Sequence, residues 1–117
     1  MVEDNDVIRA NLTETLQELA GVNIVGFADE AGPASRWLID HPQAWKLAIV
    51  DLFLRTGNGL AVLSAVQKRQ AAQRMIIVSN YATPEMRLRC LAAGADAIFD
   101  KSTEVDALVQ YCLECGA

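Results

Sequence analysis

The stretch LAIVDLFLRTGNGL, residues 47–60, sets Asp51 directly after a run of apolar residues and just before a glycine-broken loop. A run that is apolar at every position, rather than at alternate ones, suits a strand buried on both faces, as in a parallel sheet. In such sheets ligands bind beyond the carboxyl ends of the strands, which is where this carboxylate falls.

Similar runs recur on both sides of it. They are VNIVGFA at 22–28, KLAIVDL around the first at 46–52, MIIVSN at 75–80, DAIFD at 96–100, and a stub, MV, at the N-terminus. Helical patterns stand between them at about 6–20, 31–41, 58–72, 83–94 and 103–115. Ile8, Leu12, Leu16 and Leu19 form one apolar stripe, and Gly21 stops that helix. Thr83 before Pro84 reads as an N-cap with proline at the first helical position, and Gly94 closes the same helix. Ser102 or Thr103 can cap the last helix, with Glu104 and Asp106 favoured by its dipole. Strict alternation of strand and helix predicts an α/β domain over 1–117, with a five-stranded parallel sheet and right-handed crossovers. Its first strand is truncated, because only Met1 and Val2 precede the next acidic pair and a strand of ordinary length needs about five residues.

A chain of 117 residues can bury a self-sufficient core. The net charge of −5 and pI near 4.7 have the wrong sign for tracking a phosphate backbone, so direct nucleic-acid binding is not expected. No apolar run nears the roughly 20 residues of a membrane span, and the expected location is cytoplasmic. Cys112-x-x-Cys115 lacks the further ligands of a zinc site, since His41 is the only histidine, and both cysteines are expected on the terminal helix, partly buried. Trp37 and Trp45 read as packing residues.

The strand ends gather chemistry: Glu3 and Asp4 after the first, Asp51 after the third, Ser79 after the fourth, and Phe99, Asp100 and Lys101 along the fifth. Clustered carboxylates repel, so they raise a pKa or bind a hard cation. Lys101 cannot neutralise three of them. A divalent ion that keeps several waters, Mg²⁺, suits a site that must also admit a phosphoryl group, and Asp51 then reads as a nucleophile. Taken singly, Asp51 could cap a turn, Ser79 bond to backbone, Lys101 be a solvated edge residue and Phe99 a core ring.

Four motifs in order, VEDN, AIVDLFLRTGNG, MIIVSN and GADAIFDKS, resemble those of the response-regulator receiver domain of two-component signalling. The resemblance implies a doubly wound sheet with the flavodoxin-like strand order 2-1-3-4-5. It implies that Asp51 takes a phosphoryl group from a sensor histidine kinase or phosphotransfer protein, and that Asp4, Asp51 and the Phe53 carbonyl hold Mg²⁺, with Glu3 acting mainly through water. Lys101 would pair with one phosphoryl oxygen and Ser79 with another, while Phe99 would be a rotamer switch. The places flanking the path of hydrolytic water would be Phe53 and Tyr81. A downstream protein target or fused output domain is implied, and a homodimer is compatible. Arg55 stands where many receivers have proline, and so does Ser102, so a cis Lys101–Ser102 bond is not expected. Two other readings stay open: a pseudo-receiver that never takes phosphate, and an aspartyl-phosphate phosphatase, against which Phe53 occupies the place of the second acid.

Overall fold

The computed structural model describes residues 1–54, 57–69, 72–80 and 82–115. Their element order is α1 (Asp6–Ala20), α2 (Ala31–Asp40), β1 (Leu47–Asp51), α3 (Gly59–Ala65), β2 (Arg74–Ser79), α4 (Pro84–Ala92), β3 (Ala97–Asp100) and α5 (Val105–Cys115). The three strands form a parallel sheet in the order β1-β2-β3, with Ile49 beside Ile76 and Ile77 beside Ile98.

Because strand side chains alternate between faces, each all-apolar run feeds two cores at once. Ala48, Val50, Met75, Ile77 and Ile98 pack with Leu38, Val62, Leu63 and Cys90 of α2, α3 and α4. Ile49, Ile76 and Val78 pack on the other face with Leu12 and Leu16 of α1 and Leu108 and Cys112 of α5. The helix caps mostly follow the sequence. Asn5 accepts from Val7 and Ile8 at the start of α1, Gly21 ends it at φ 64°, and the Thr83 hydroxyl accepts from Met86. Trp45 is buried and donates Nε1–H to the Leu38 carbonyl, and Cys112 is buried while Cys115 is exposed.

The expectation of five strands is met by three strands, with two single-residue parallel bridges beyond β1, Val2 with Val50 and Ala28 with Val2. The reason is pairing length. Met1, Val2 and Glu3 make every hydrogen bond available to so short a segment: Val2 N to Ile49 O, Asp51 N to Val2 O, Met1 N to Gly26 O, Ala28 N to Met1 O and Glu3 N to Ala28 O. Residues 22–27 find no ladder partner among the described residues, and Val25 and Phe27 stay more than half exposed. An apolar groove of about 1140 Å³ runs between this segment and β1, lined by Ile24, Trp37, Leu47, Ile49 and Cys112 among others.

Two more differences have local causes. α3 ends at Ala65 instead of continuing toward 72, because Arg69 turns away to the Gly94 carbonyl and the Asp96 carboxylate, at 2.8 and 3.0 Å. Nor do Ser102 and Thr103 cap α5. Their N–H groups bond to Asp100 Oδ1, so Asp100 organises the turn, and Glu104 immediately precedes the helix. There is no cis peptide bond among the described residues, as expected at Lys101–Ser102. Arg55 and Tyr81 lie outside the described residues.

Candidate functional site

β1 delivers Asp51 to the carboxyl edge of the sheet, and the Val2 bridge places Glu3 and Asp4 beside it. The local chain leaves room for this. A side chain at Gly59 would come within 2.8 Å of the Asp51 carbonyl, and Gly59 N–H bonds to the Leu52 carbonyl, so a residue with no side chain keeps the loop tight under the aspartate. Arg9 steadies the acid pair from α1 by donating to the Glu3 carbonyl at 3.0 Å.

Glu3, Asp4 and Asp51 each present an oxygen within 4.8 Å of the others. Glu3 and Asp51 are buried. Lys101, whose side chain is only 8% exposed, reaches across from the end of β3 and donates to Glu3 Oε1 at 3.2 Å and to Asp51 Oδ2 at 3.1 Å. Ser79 is fully buried at the end of β2, with its carbonyl accepting from Lys101 N at 2.9 Å. Phe99 is half-buried and meets Tyr111 edge-on, with centroids 5.6 Å apart, and Phe53, two residues past Asp51, is 52% exposed.

The fold thus gathers Glu3, Asp4, Asp51, Ser79 and Lys101 at one edge, with Phe53 and Phe99 beside them; Tyr81 lies outside the described residues. Glu3 is also an ion partner of Lys101, a contact the sequence reading did not name. Residues 98 positions apart in sequence share no period that could have shown this. Also unmarked in the sequence was the Arg9 contact, six residues from Glu3, because it depends on the turn between the N-terminal segment and α1 rather than on a hydrophobic period.

Three carboxylates against one ammonium leave net negative charge in a buried place. Burial, and then the hydrogen bond and charge of Asp51, push the Glu3 carboxyl up to about 8 despite the opposing pull of Lys101. Folded Glu3 therefore binds a proton where the unfolded chain, with the ordinary value of 4.5, has lost it, and stability falls as pH rises between those values. The Met1 ammonium acts in the opposite sense between about 6 and 8, because burial, with help from Arg9, pushes its pKa down to about 6. Asp100 and Glu104 are held below the ordinary carboxylate range by their hydrogen bonds, so they act only at lower pH. The clean window is pH 4.5 to 6. With chelator present, the melting temperature is expected to fall across it for wild type and to stay nearly level for Glu3→Gln. Parallel curves would refute this account of Glu3.

The chain matches the family model of the response regulator receiver domain over residues 1–112. The DNA-binding transcriptional activator DevR/DosR of Mycobacterium tuberculosis is 27% identical over 118 residues, covering 100% of this chain and 53% of that protein. The photosynthetic apparatus regulatory protein RegA of Rhodobacter capsulatus is 22% identical, covering 99% and 61%. The chain thus spans about half the length of the curated relatives it matches. Among solved structures, the NarL signal receiver domain from M. tuberculosis shares the fold at a TM-score of 0.83 and 24% identity, over 97% of this chain and 90% of that one. A chain of the CheX-CheY-BeF₃-Mg complex from Borrelia burgdorferi does so at 0.83 and 19%, over 99% and 86%. No described helix is long and apolar enough to cross a membrane. With nearly the whole chain matched and its fold shared with solved receivers, the protein belongs to the response regulator receiver domain family, the signalling modules of two-component systems.

Proposed function

We propose that this chain is the receiver domain of a phosphorylation switch in which Asp51 accepts a phosphoryl group from the phosphohistidine of a sensor kinase or phosphotransfer protein. The observation that carries the reading is the ion cluster itself: a buried strand-end aspartate, two further carboxylates and a lysine that already bridges Glu3 and Asp51. Three convergent carboxylate oxygens with one ammonium fit a hard divalent cation, so Asp4 and Asp51, with Glu3 and the Phe53 carbonyl, would hold Mg²⁺. Bound there, the ion supplies charge neutralisation for phosphoryl transfer.

The chain's own groups do the rest. An Asp51 oxygen attacks phosphorus in line, the O–P bond forms as the P–N bond of the donor breaks, and the imidazole leaves. Lys101 Nζ, 3.1 Å from Asp51 Oδ2, is placed to follow the new charge onto a phosphoryl oxygen. The Ser79 hydroxyl, one strand over, would bind a second oxygen, and Phe99 would change rotamer as that loop moves. The Ala28–Val2 and Val2–Val50 bridges support a five-stranded order, 2-1-3-4-5, with the Val2 segment between the Ala28 segment and β1. The output passes to a protein target or a fused domain through α4 and β3. Incubation with Mg²⁺ and acetyl phosphate should add one phosphoryl group by intact mass; no addition under conditions where the chain is folded would favour a pseudo-receiver. The observation on that side is that the acid pair follows a segment held to its neighbours by isolated single-residue bridges at Val2 rather than by a strand ladder.

Phosphate lifetime follows from Phe53. An exposed ring two residues past Asp51 would crowd the path of an in-line water without offering it a hydrogen bond. Phe53→Asn supplies a group that orients water and should speed dephosphorylation about tenfold, or about 1.4 kcal/mol of barrier. Phosphate loss after donor removal measures it; equal decay in the two proteins would show that the ring has no part. The same role is proposed for Tyr81, with Tyr81→Ala as its test.

A further inference from the structure

One guanidinium outside the phosphorylation cluster ties together three separate parts of the chain. Arg87, in the first turns of α4, donates Nε–H to the Ala82 carbonyl at 2.9 Å, an NH1 proton to the Ile98 carbonyl of β3 at 3.4 Å, and an NH2 proton to Glu104 Oε1. The same Glu104 oxygen accepts from Asp100 N at 2.9 Å, so the carboxylate is fastened to the end of β3 as well as to Arg87. At the other end of the β2–α4 connection, the Ser79 carbonyl accepts from Lys101 N, and Asn80 Oδ1 accepts from the Ser102 hydroxyl at 3.2 Å. The connection is therefore pinned at both ends to the segment that follows β3.

An ion pair whose side chains are each 33% exposed adds little stability by itself. Its leverage is geometric. The planar fork of arginine reaches two carbonyls and a carboxylate in fixed directions, which the point charge of lysine does not reproduce. The Ala82 carbonyl lies three residues past Ser79, so drawing the Ser79 hydroxyl toward a phosphoryl group on Asp51 pulls on the Arg87 contact. α4 carries its exposed Leu88 and Leu91 on the same short helix, so whatever frees Arg87 also frees that surface to shift.

We propose that Arg87 and Glu104 are positioning residues that hold the β2–α4 connection in the unmodified arrangement, a clamp that opens when Asp51 is modified. The proposal rests on Asp51 being the phosphoryl acceptor. A ligand that favours one of two arrangements binds more tightly when the other is weakened.

The test uses the full chain, Mg²⁺ and beryllofluoride as the phosphoryl mimic, with Kd read by fluorine NMR or calorimetry. Arg87→Lys keeps the charge and loses the fork, and Glu104→Gln keeps an acceptor and loses the charge. Each should tighten beryllofluoride about fivefold, the lower end of ordinary coupling between sites, while exchange at the Asp100 amide, which donates to Glu104, quickens without mimic. The double variant should gain no more than the better single one, because both act on one contact. A purely structural role would leave Kd unchanged, or weaken it, while exchange still quickens, and either result overturns the proposal. Wild type that takes no beryllofluoride overturns the Asp51 reading and the clamp's coupling with it; wild type that binds, with variants no tighter, overturns the clamp alone.

Discussion

Asp51→Asn is expected to gain no mass from acetyl phosphate and Mg²⁺, where the unaltered chain gains one phosphoryl group. The amide removes the attacking oxygen's charge and nucleophilicity in one step, and it weakens the set of carboxylates that would hold the metal. The fold should survive. Asp51 lies 3.1 Å from Lys101, but Lys101 keeps Glu3 at 3.2 Å, so the lysine is not left unpaired in its buried position. The change also removes one of the charges that push the Glu3 proton affinity up. In the absence of metal the variant should therefore melt no lower than wild type. Undiminished phosphate incorporation would sink the assignment of Asp51, and a melting temperature several degrees lower would sink the account of the cluster as overcharged.

The second large effect is expected at the groove beside β1. The hydrogen bonds of Val2 with Ile49 and Asp51 show that odd-numbered residues of β1 face this side, while Lys46 and Leu52 bond toward β2. Continued backward, the same parallel register would engage Leu47 and Ile49 on one side and Ile24 and Gly26 on the other. Four or five aliphatic residues fused ahead of Met1 are therefore expected to add a strand between them. Each large side chain so buried contributes about 1.5 to 3 kcal/mol before conformational entropy of about 1 to 2 kcal/mol per residue is subtracted. The fusion also turns the buried Met1 ammonium into a peptide N–H that can still donate to the Gly26 carbonyl. A gain of roughly 1 to 2 kcal/mol corresponds to about 5 to 10 °C in Tm. A Gly/Ser extension of equal length should give none of it. Equal melting of the two fusions would show that the groove does not accept a strand.

The sequence made the interior legible wherever a segment could pair along its whole length. The apolar runs at 46–52, 75–80 and 96–100 match the three strands to within one residue at each end, and the Ile8 stripe lies on α1 over its expected span. It misled at 22–28, where composition says strand and the chain is extended but unpaired among the described residues; a strand is a relation to a neighbour, and only Met1 to Glu3 lie alongside. At 58–72 the helical pattern outran the helix, because Arg69 is captured by Gly94 and Asp96, a contact between residues distant in sequence.

The site divides along the same line. That Asp51, Ser79 and Lys101 would meet at one edge followed from the sequence, since parallel strands send all their carboxyl ends the same way. How they meet was left to the tertiary structure. The Lys101 bridge to both Glu3 and Asp51, the Arg9 hold on the Glu3 carbonyl and the reach of Arg87 from Ala82 to Glu104 each depend on side-chain directions across separate elements. Hydrophobic period and strand direction are properties of a segment and can be read along the chain, whereas ion pairs and buried carboxylates take their partners and their proton affinities from segments brought together only by folding.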